Sequence, residues 1–188
     1  MKLVEARKIS LDLLSELGKH FEILQVVGSI RRQCETVHDI DFVGIRKPDS
    51  SYQFGEVSLE YHIIVLDLTG YSESRKDERL DISRFADGHA IKRFQYKGIT
   101  VEIYLADEST FECLKLIRTG STEHNIRLTK LARAKDMKLF ASGKGLCKIK
   151  GGIYNNEPEE IIEVVENTED GILMNLLGRV PKPEDRRN

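Results

Sequence analysis

Asp39 and Asp41 flank one apolar residue in the run Asp39-Ile40-Asp41-Phe42, which begins eleven positions after Gly28. Two carboxylates at i and i+2 of a strand leave the same face, about 6.5 Å apart along it. Carboxylate oxygens so placed suit a hard divalent cation such as magnesium. The Gly28-Ser29 turn ahead of them can offer backbone N–H groups and a hydroxyl to a phosphate, and Arg31 and Arg32 follow at once. One site would then hold a cation and a nucleoside triphosphate together. That layout suits nucleotidyl transfer, in which two cations about 3.5–4 Å apart hold the attacking and leaving oxygens. A third carboxylate from a neighbouring strand would complete it, and Glu102 is the candidate. Each part has a plainer reading. A lone Asp-x-Asp also marks a solvated strand edge, Glu102 alone is an exposed strand residue, and Arg31-Arg32 alone begin a solvated helix. It is their convergence with the Gly-Ser turn that favours a site.

The elements that must position these residues follow from periodicity. Leu3, Val4, Ile9, Leu11, Leu13, Leu14 and Leu17 recur at roughly helical spacing and Gly18 can stop the run, which predicts a helix over 3–17. Phe21 to Val27 reads as a strand ending at Gly28, and Asp39 to Ile45 as the next, with Ile40 and Phe42 facing away from the aspartates. Arg46 to Ser51 is turn-rich. Tyr61 to Leu66 reads as a strand, a buried helical turn being the alternative, and Ser72 to Asp81 as an exposed loop or helix. Phe94 to Tyr96, Lys97-Gly98 and Ile99 to Leu105 form a β-hairpin. In its second arm Ile99, Val101, Ile103 and Leu105 alternate with Thr100, Glu102 and Tyr104, which puts Glu102 opposite the apolar set.

Beyond residue 109 the pattern turns to helix and loop, with a boundary near 106–110. Phe111 to Arg118 is helical and Thr119-Gly120-Ser121 breaks it. Ser121 or Thr122 can cap a second helix running to about Met137. Gly143 to Gly152 reads as a loop with short strands. Thr168-Glu169-Asp170 starts a last helix through Leu177, closed by Gly178.

Composition sets the limits. The 188 residues suffice for one domain or two small subdomains, and the net charge of -2 identifies no partner. The start of the chain lacks an apolar signal core, and no run approaches the roughly 18 apolar residues of a membrane span. Cys34, Cys113 and Cys147 are scattered and odd in number, so neither disulfides nor zinc is expected, and a reducing, intracellular setting fits. Charge position says more than its sum. Between residues 115 and 150 Lys and Arg far outnumber Glu123 and Asp136. Arg127, Lys130 and Arg133, about one turn apart on the predicted helix, could follow a phosphate backbone, or could simply be a solvated face. The acidic stretch Glu157 to Asp170 is expected to turn away from a duplex.

Taken together the chain resembles the family X DNA polymerases, the DNA polymerase beta-like nucleotidyltransferases. Three segments carry the likeness: Gly28 to Arg32 with Glu35 to Asp41; Ile99 to Ile103; and Arg118 to Leu128 with Ala132 and Gly145-Leu146. The close Thr168-Glu169, Leu176-Leu177-Gly178 and Pro181 to Arg186 also looks like the family's. The resemblance thins between 49 and 90. It implies an α+β fold. A nucleotidyltransferase palm, a mixed β-sheet with helices on one face, would fill residues 1–108. A small α/β nucleotide- and DNA-binding subdomain would fill 109–188. Asp39 and Asp41 would ligate two Mg2+ ions (Mn2+ as the substitute) and Glu102 the catalytic one. Gly28, Ser29 and Arg32 would hold the triphosphate, with His38 beside them touching phosphate or filling space. Thr119, Gly120 and Ser121 would lie under the sugar and base, around a cis Gly-Ser peptide that the family often has. Asn125 would reach the base edge, and Arg127, Lys130 and Arg133 the DNA. Partners would be a nucleoside triphosphate and primed or gapped DNA, with no membrane. The protein would act as a monomer, in the cytoplasm or at the nucleoid, whether cellular, viral or phage-encoded.

Departures from the family pattern shape the alternatives. Glu102 replaces the usual Asp. Gln33 and His38 replace common glycines, and Ile117-Arg118 replaces an aromatic pair on which sugar selectivity depends. No lyase or helix-hairpin-helix module precedes the palm, so a minimal polymerase core or catalytic subunit is expected. A gap-filling DNA polymerase therefore competes with a template-independent or ribonucleotide-tolerant transferase. A third alternative is a catalytically weak DNA-binding module with a degenerate palm.

Overall fold

The computed structural model describes residues 1–48, 58–59, 62–63, 86–87, 90–152 and 157–186. The chain divides into two compact units, Met1–Asp107 and Glu108–Asn188. Both mix helices with β-sheet, so the fold is α+β.

The first unit is built on a mixed sheet. Helix α1 (Leu3–Leu17) buries Ala6, Ile9, Leu13 and Leu17, the three- and four-residue spacing of one helix face. Val4 and Leu11 lie on its exposed side. Strand β1 (Phe21–Val26) runs antiparallel to β2 (Asp39–Arg46). Between them lies α2 (Gly28–Arg31), a single turn. Strand β2 pairs in parallel with β5 (Ile99–Ala106), and β5 pairs antiparallel with β4 (Ile91–Tyr96). The short β3 (Ala86–Asp87) pairs with β4, giving the order β1-β2-β5-β4-β3. Lys97 and Gly98 join β4 to β5 with φ of 48° and 78°. Two left-handed residues in a two-residue turn match the right-handed twist of the strands. Ile40, Phe42, Val101 and Ile103 are fully buried and pack into one core with α1. Each contributes on the order of 2 kcal/mol by leaving water.

Leu59, His62 and Ile63 are helical, which corrects the strand expected across Tyr61 to Leu66 where it is described. His62 N–H donates to Ser58 O at 3.0 Å, and Leu59 and Ile63, four apart, are both fully buried. An apolar run of this length fits either period, and here the helical one holds. The segment Ser72 to Asp81 lies outside the described residues.

The second unit holds α3 (Phe111–Thr119), α4 (Thr122–Arg133) and α5 (Glu169–Leu177) with an antiparallel sheet ordered β6-β7-β8. Its strands are β6 (Met137–Phe140), β7 (Gly145–Gly152) and β8 (Glu157–Glu166). The helix expected to reach Met137 stops at Arg133. Lys135 N–H and Asp136 N–H bond back three residues instead of four, and Asp136 turns left-handed at φ 56°. Met137 and Leu139 then alternate into the core as a strand. Where a loop with short strands is expected over Gly143 to Gly152, one continuous strand, β7, takes up most of it. The caps of α5 are as the sequence implies. Thr168 Oγ1 accepts from Gly171 N–H at 3.1 Å, and Gly178 is left-handed at φ 69°. No described helix is long and apolar enough to cross a membrane.

Candidate active site

The exit of β1 and the start of β2 are tied together where the acids lie. Val27 N–H donates to Asp41 O at 2.8 Å, and Gly28 follows in the left-handed region at φ 62°. A Cβ on Gly28 would lie 2.1 Å from Asp41 Oδ2, so the glycine backbone abuts that carboxylate. Ser29 Oγ is buried and has no hydrogen-bond partner among the described residues. A buried hydroxyl left this way costs about 1–3 kcal/mol, and a ligand oxygen would relieve it. Arg32 is half-buried one residue past α2. His38 is exposed just before β2, so it fills no core space.

The parallel pairing sets Asp39 opposite Thr100 and Asp41 opposite Glu102. Since Ile40, Phe42, Val101 and Ile103 take the core face, Asp39, Asp41 and Glu102 share the other face. Adjacent strands lie about 4.8 Å apart, so Asp41 and Glu102 are direct neighbours. The antiparallel pairing of β4 then puts Arg93 opposite Glu102. Arg93 Nε donates to Glu102 Oε1 at 2.6 Å, and Nη2 lies 2.6 Å from the same oxygen. Tyr104 OH donates to Oε2. The Glu102 side chain is 13 % exposed and Arg93 48 %.

Carboxylates are the donor type that magnesium or manganese takes. Their present directions do not gather into one cluster. Among the described residues no three acid, histidine or cysteine side chains converge on an ion-sized point. Asp41 leans on Gly28, at the β1 side of β2, while Glu102 is held toward β4. Register therefore puts three possible cation ligands on one face, while the Asp41 and Glu102 carboxylates point to opposite neighbours.

In the second unit the turn after α3 is built from interlocking bonds. Thr119 Oγ1 donates to Lys115 O at 2.6 Å. The Gly120–Ser121 peptide is cis, as the resemblance implies. Ser121 N–H donates to Arg186 O at 3.1 Å, and Ser121 Oγ caps α4 by accepting from His124 N–H at 3.2 Å. Asn125 Nδ2 donates to Ile117 O at 2.8 Å, while its Oδ1 is buried with no hydrogen-bond partner among the described residues. Asn125 opens a groove of about 360 Å3 along α4, with Thr122, Ile126, Thr129, Lys130 and Arg133 on its walls. Lys130 and Arg133 line it and Arg127 does not. At 100° per residue Arg127 falls on the flank, near His124.

His124 is buried and its pKa falls to about 4, first through burial and then through the Arg186 and Arg127 charges. Glu169 and Arg186, 3 % and 2 % exposed, pair at 2.6 Å, and Lys115 lies 3.5 Å from the same carboxylate. Arg186 Nε and Nη2 also donate to Pro181 O. No local pattern announces this cluster, whose members are far apart along the chain. Arg93 carries no motif of its own either, though counting outward from the Lys97-Gly98 turn pairs it with Glu102.

No protein-family model matches the chain, and no curated protein matches it closely enough to count as a relative.

Proposed function

We propose that the chain is a metal-dependent nucleotidyltransferase, and in its simplest form a DNA polymerase that adds dNMP to a primer 3′-hydroxyl in gapped or primed DNA. The observation that carries this reading is the register of β2 and β5. It sets Asp39, Asp41 and Glu102 on one sheet face, with the Gly28-Ser29 turn against Asp41. Bound Mg2+, held by these three acids, would supply charge neutralisation on the triphosphate and a lowered hydroxyl pKa. The chain's own groups do the rest. Ser29 Oγ and Arg32 hold triphosphate oxygens. Glu102 takes the proton of the attacking hydroxyl. The 3′-oxygen bonds to the α-phosphorus, the bond to the bridging oxygen breaks, and pyrophosphate leaves. Within the second unit, the Lys130–Arg133 groove follows the nucleic acid backbone.

The test is primer extension on a one-nucleotide gap with Mg2+, each of the four deoxynucleotides and ribonucleotides supplied singly. Incorporation of the templated deoxynucleotide alone, lost in Asp41→Asn and Glu102→Ala, is the expected result. The aliphatic Ile117 ahead of Thr119 favours one second reading, a transferase that ignores the template or accepts ribonucleotides. Untemplated or ribonucleotide addition would establish it. Duplex binding without pyrophosphate release from any nucleotide would overturn both readings and leave a DNA-binding module.

A further inference from the structure

We infer that Arg93 is an internal counter-ion that occupies Glu102 in the resting protein and must give way before Glu102 could join Asp41 in holding a divalent cation. The inference rests on reading those two acids as a cation site, and it names what regulates that site.

Three observations carry it. First, Arg93, Glu102 and Asp41 lie in one row across β4, β5 and β2, fixed by the two registers. Second, the row is unevenly drawn together. Glu102 Oε1 accepts from Arg93 at 2.6 Å, and Oε2 accepts from Tyr104. Asp41 Oδ2 meanwhile lies against Gly28 on the far side of β2. The neighbouring carboxylates are thus pulled apart, which accounts for the absence of an ion-sized cluster among the described residues. Third, the two partners of Glu102 differ in freedom. Tyr104 is buried, whereas Arg93 is about half exposed and can swing into solvent at small cost.

The chemistry favours exchange. A guanidinium and a divalent cation both seek the same carboxylate oxygens, and each lowers the site's need for the other. Glutamate makes the arrangement workable, because its extra methylene lets the carboxylate travel between β4 and β2 while its Cα stays in register. The bond from Tyr104 lies two residues along the same strand and can persist in both positions, so Tyr104 is a pivot and Arg93 the displaceable partner. A positively charged side chain so placed also keeps Asp41 and Glu102 from repelling each other in the metal-free protein.

The experiment is Mn2+ binding to the full chain, read as the free-ion electron paramagnetic resonance signal, for wild type, Arg93→Gln, Arg93→Lys and Asp41→Asn. Circular dichroism confirms folding. Removing the competitor should tighten Mn2+ binding about two- to fivefold in Arg93→Gln, the range expected for a partly exposed charge. Arg93→Lys should fall between, since a lysine keeps the charge without the fork, and it serves as the test if the glutamine variant does not fold. The Mg2+ concentration for half-maximal extension should fall in parallel. Binding that requires Asp41 but is unchanged or weakened without Arg93 would overturn the counter-ion role and leave the cation site intact. Binding absent from wild type and from every Arg93 variant would overturn the cation site itself, and the counter-ion role with it.

Discussion

Gly28 lies against the Asp41 carboxylate so closely that a methyl group on its Cα would sit 2.1 Å from Oδ2. Gly28 also holds φ at 62°, where an L side chain costs about 1–2 kcal/mol. Gly28→Ala should therefore act twice, straining the turn and pushing the carboxylate off its position. We expect a melting temperature lower by about 2–8 °C and extension activity at least tenfold lower. Unchanged melting and unchanged activity together would show that the turn relaxes freely and does not fix Asp41.

Asp41→Asn separates chemistry from folding. Asp41 is half-buried on a strand whose core face is filled by Ile40 and Phe42, and the isosteric amide leaves that core alone. Turnover should drop about 100-fold or more, because losing one charged ligand removes several kcal/mol of transition-state stabilisation. Urea midpoints should stay close to wild type. Full activity in this variant would refute the assignment of Asp41 as a cation ligand.

Local pattern made some of this legible and left some hidden, for identifiable reasons. Helix α1 could be read because Ala6, Ile9, Leu13 and Leu17 share one clean face. The face shared by Asp41 and Glu102 could be read because Ile40, Phe42, Val101 and Ile103 alternate with the acids. Strand β8 was obscured because its pairing with β7 slips register three times, and Ile162 and Val164 are exposed among glutamates. No simple alternation survives such slips. The end of α4 was hidden because Arg133, Ala134, Lys135 and Met137 are good helix formers and no Gly or Pro among them marks a stop. Contacts such as Glu169 with Arg186 depend on tertiary packing across sixteen intervening residues, and nothing in either local sequence announces them.

The α4 groove gives a prediction about affinity. Lys130 and Arg133 are exposed on its wall beside Asn125. Lys130→Ala should weaken binding to gapped duplex and lower the slope of log affinity against log salt by about 0.9, the share of one phosphate contact. Base choice should not change, because a phosphate contact reads no sequence. Arg127→Ala, off the groove, should change the slope less. If Arg127→Ala had the larger effect, the flank of α4 rather than the groove would be the nucleic acid face.

The buried pair of Glu169 and Arg186 predicts how the second unit responds to mutation and to acid. Glu169→Gln leaves the Arg186 guanidinium buried beside Lys115 with its countercharge gone, which should cost about 3–5 kcal/mol. Thr119, Ser121 and the cap on His124 are bonded into the same cluster, so nucleotide affinity should fall as well. The neighbouring His124 sets a pH window. Its folded pKa, about 4, lies below the ordinary 6.5, so the unfolded chain binds its proton first as pH falls. The stability His124 contributes is complete above about pH 6.5 and is lost progressively toward pH 4. Glu166, whose pKa is lowered by bonds from Thr168 and Asn167, acts in a separate window that opens below its ordinary 4.5. Urea melts of wild type and His124→Gln between pH 7.5 and 4.5 should thus diverge, wild type losing more stability over that range. Parallel curves would place the acid sensitivity elsewhere and remove His124 from the account.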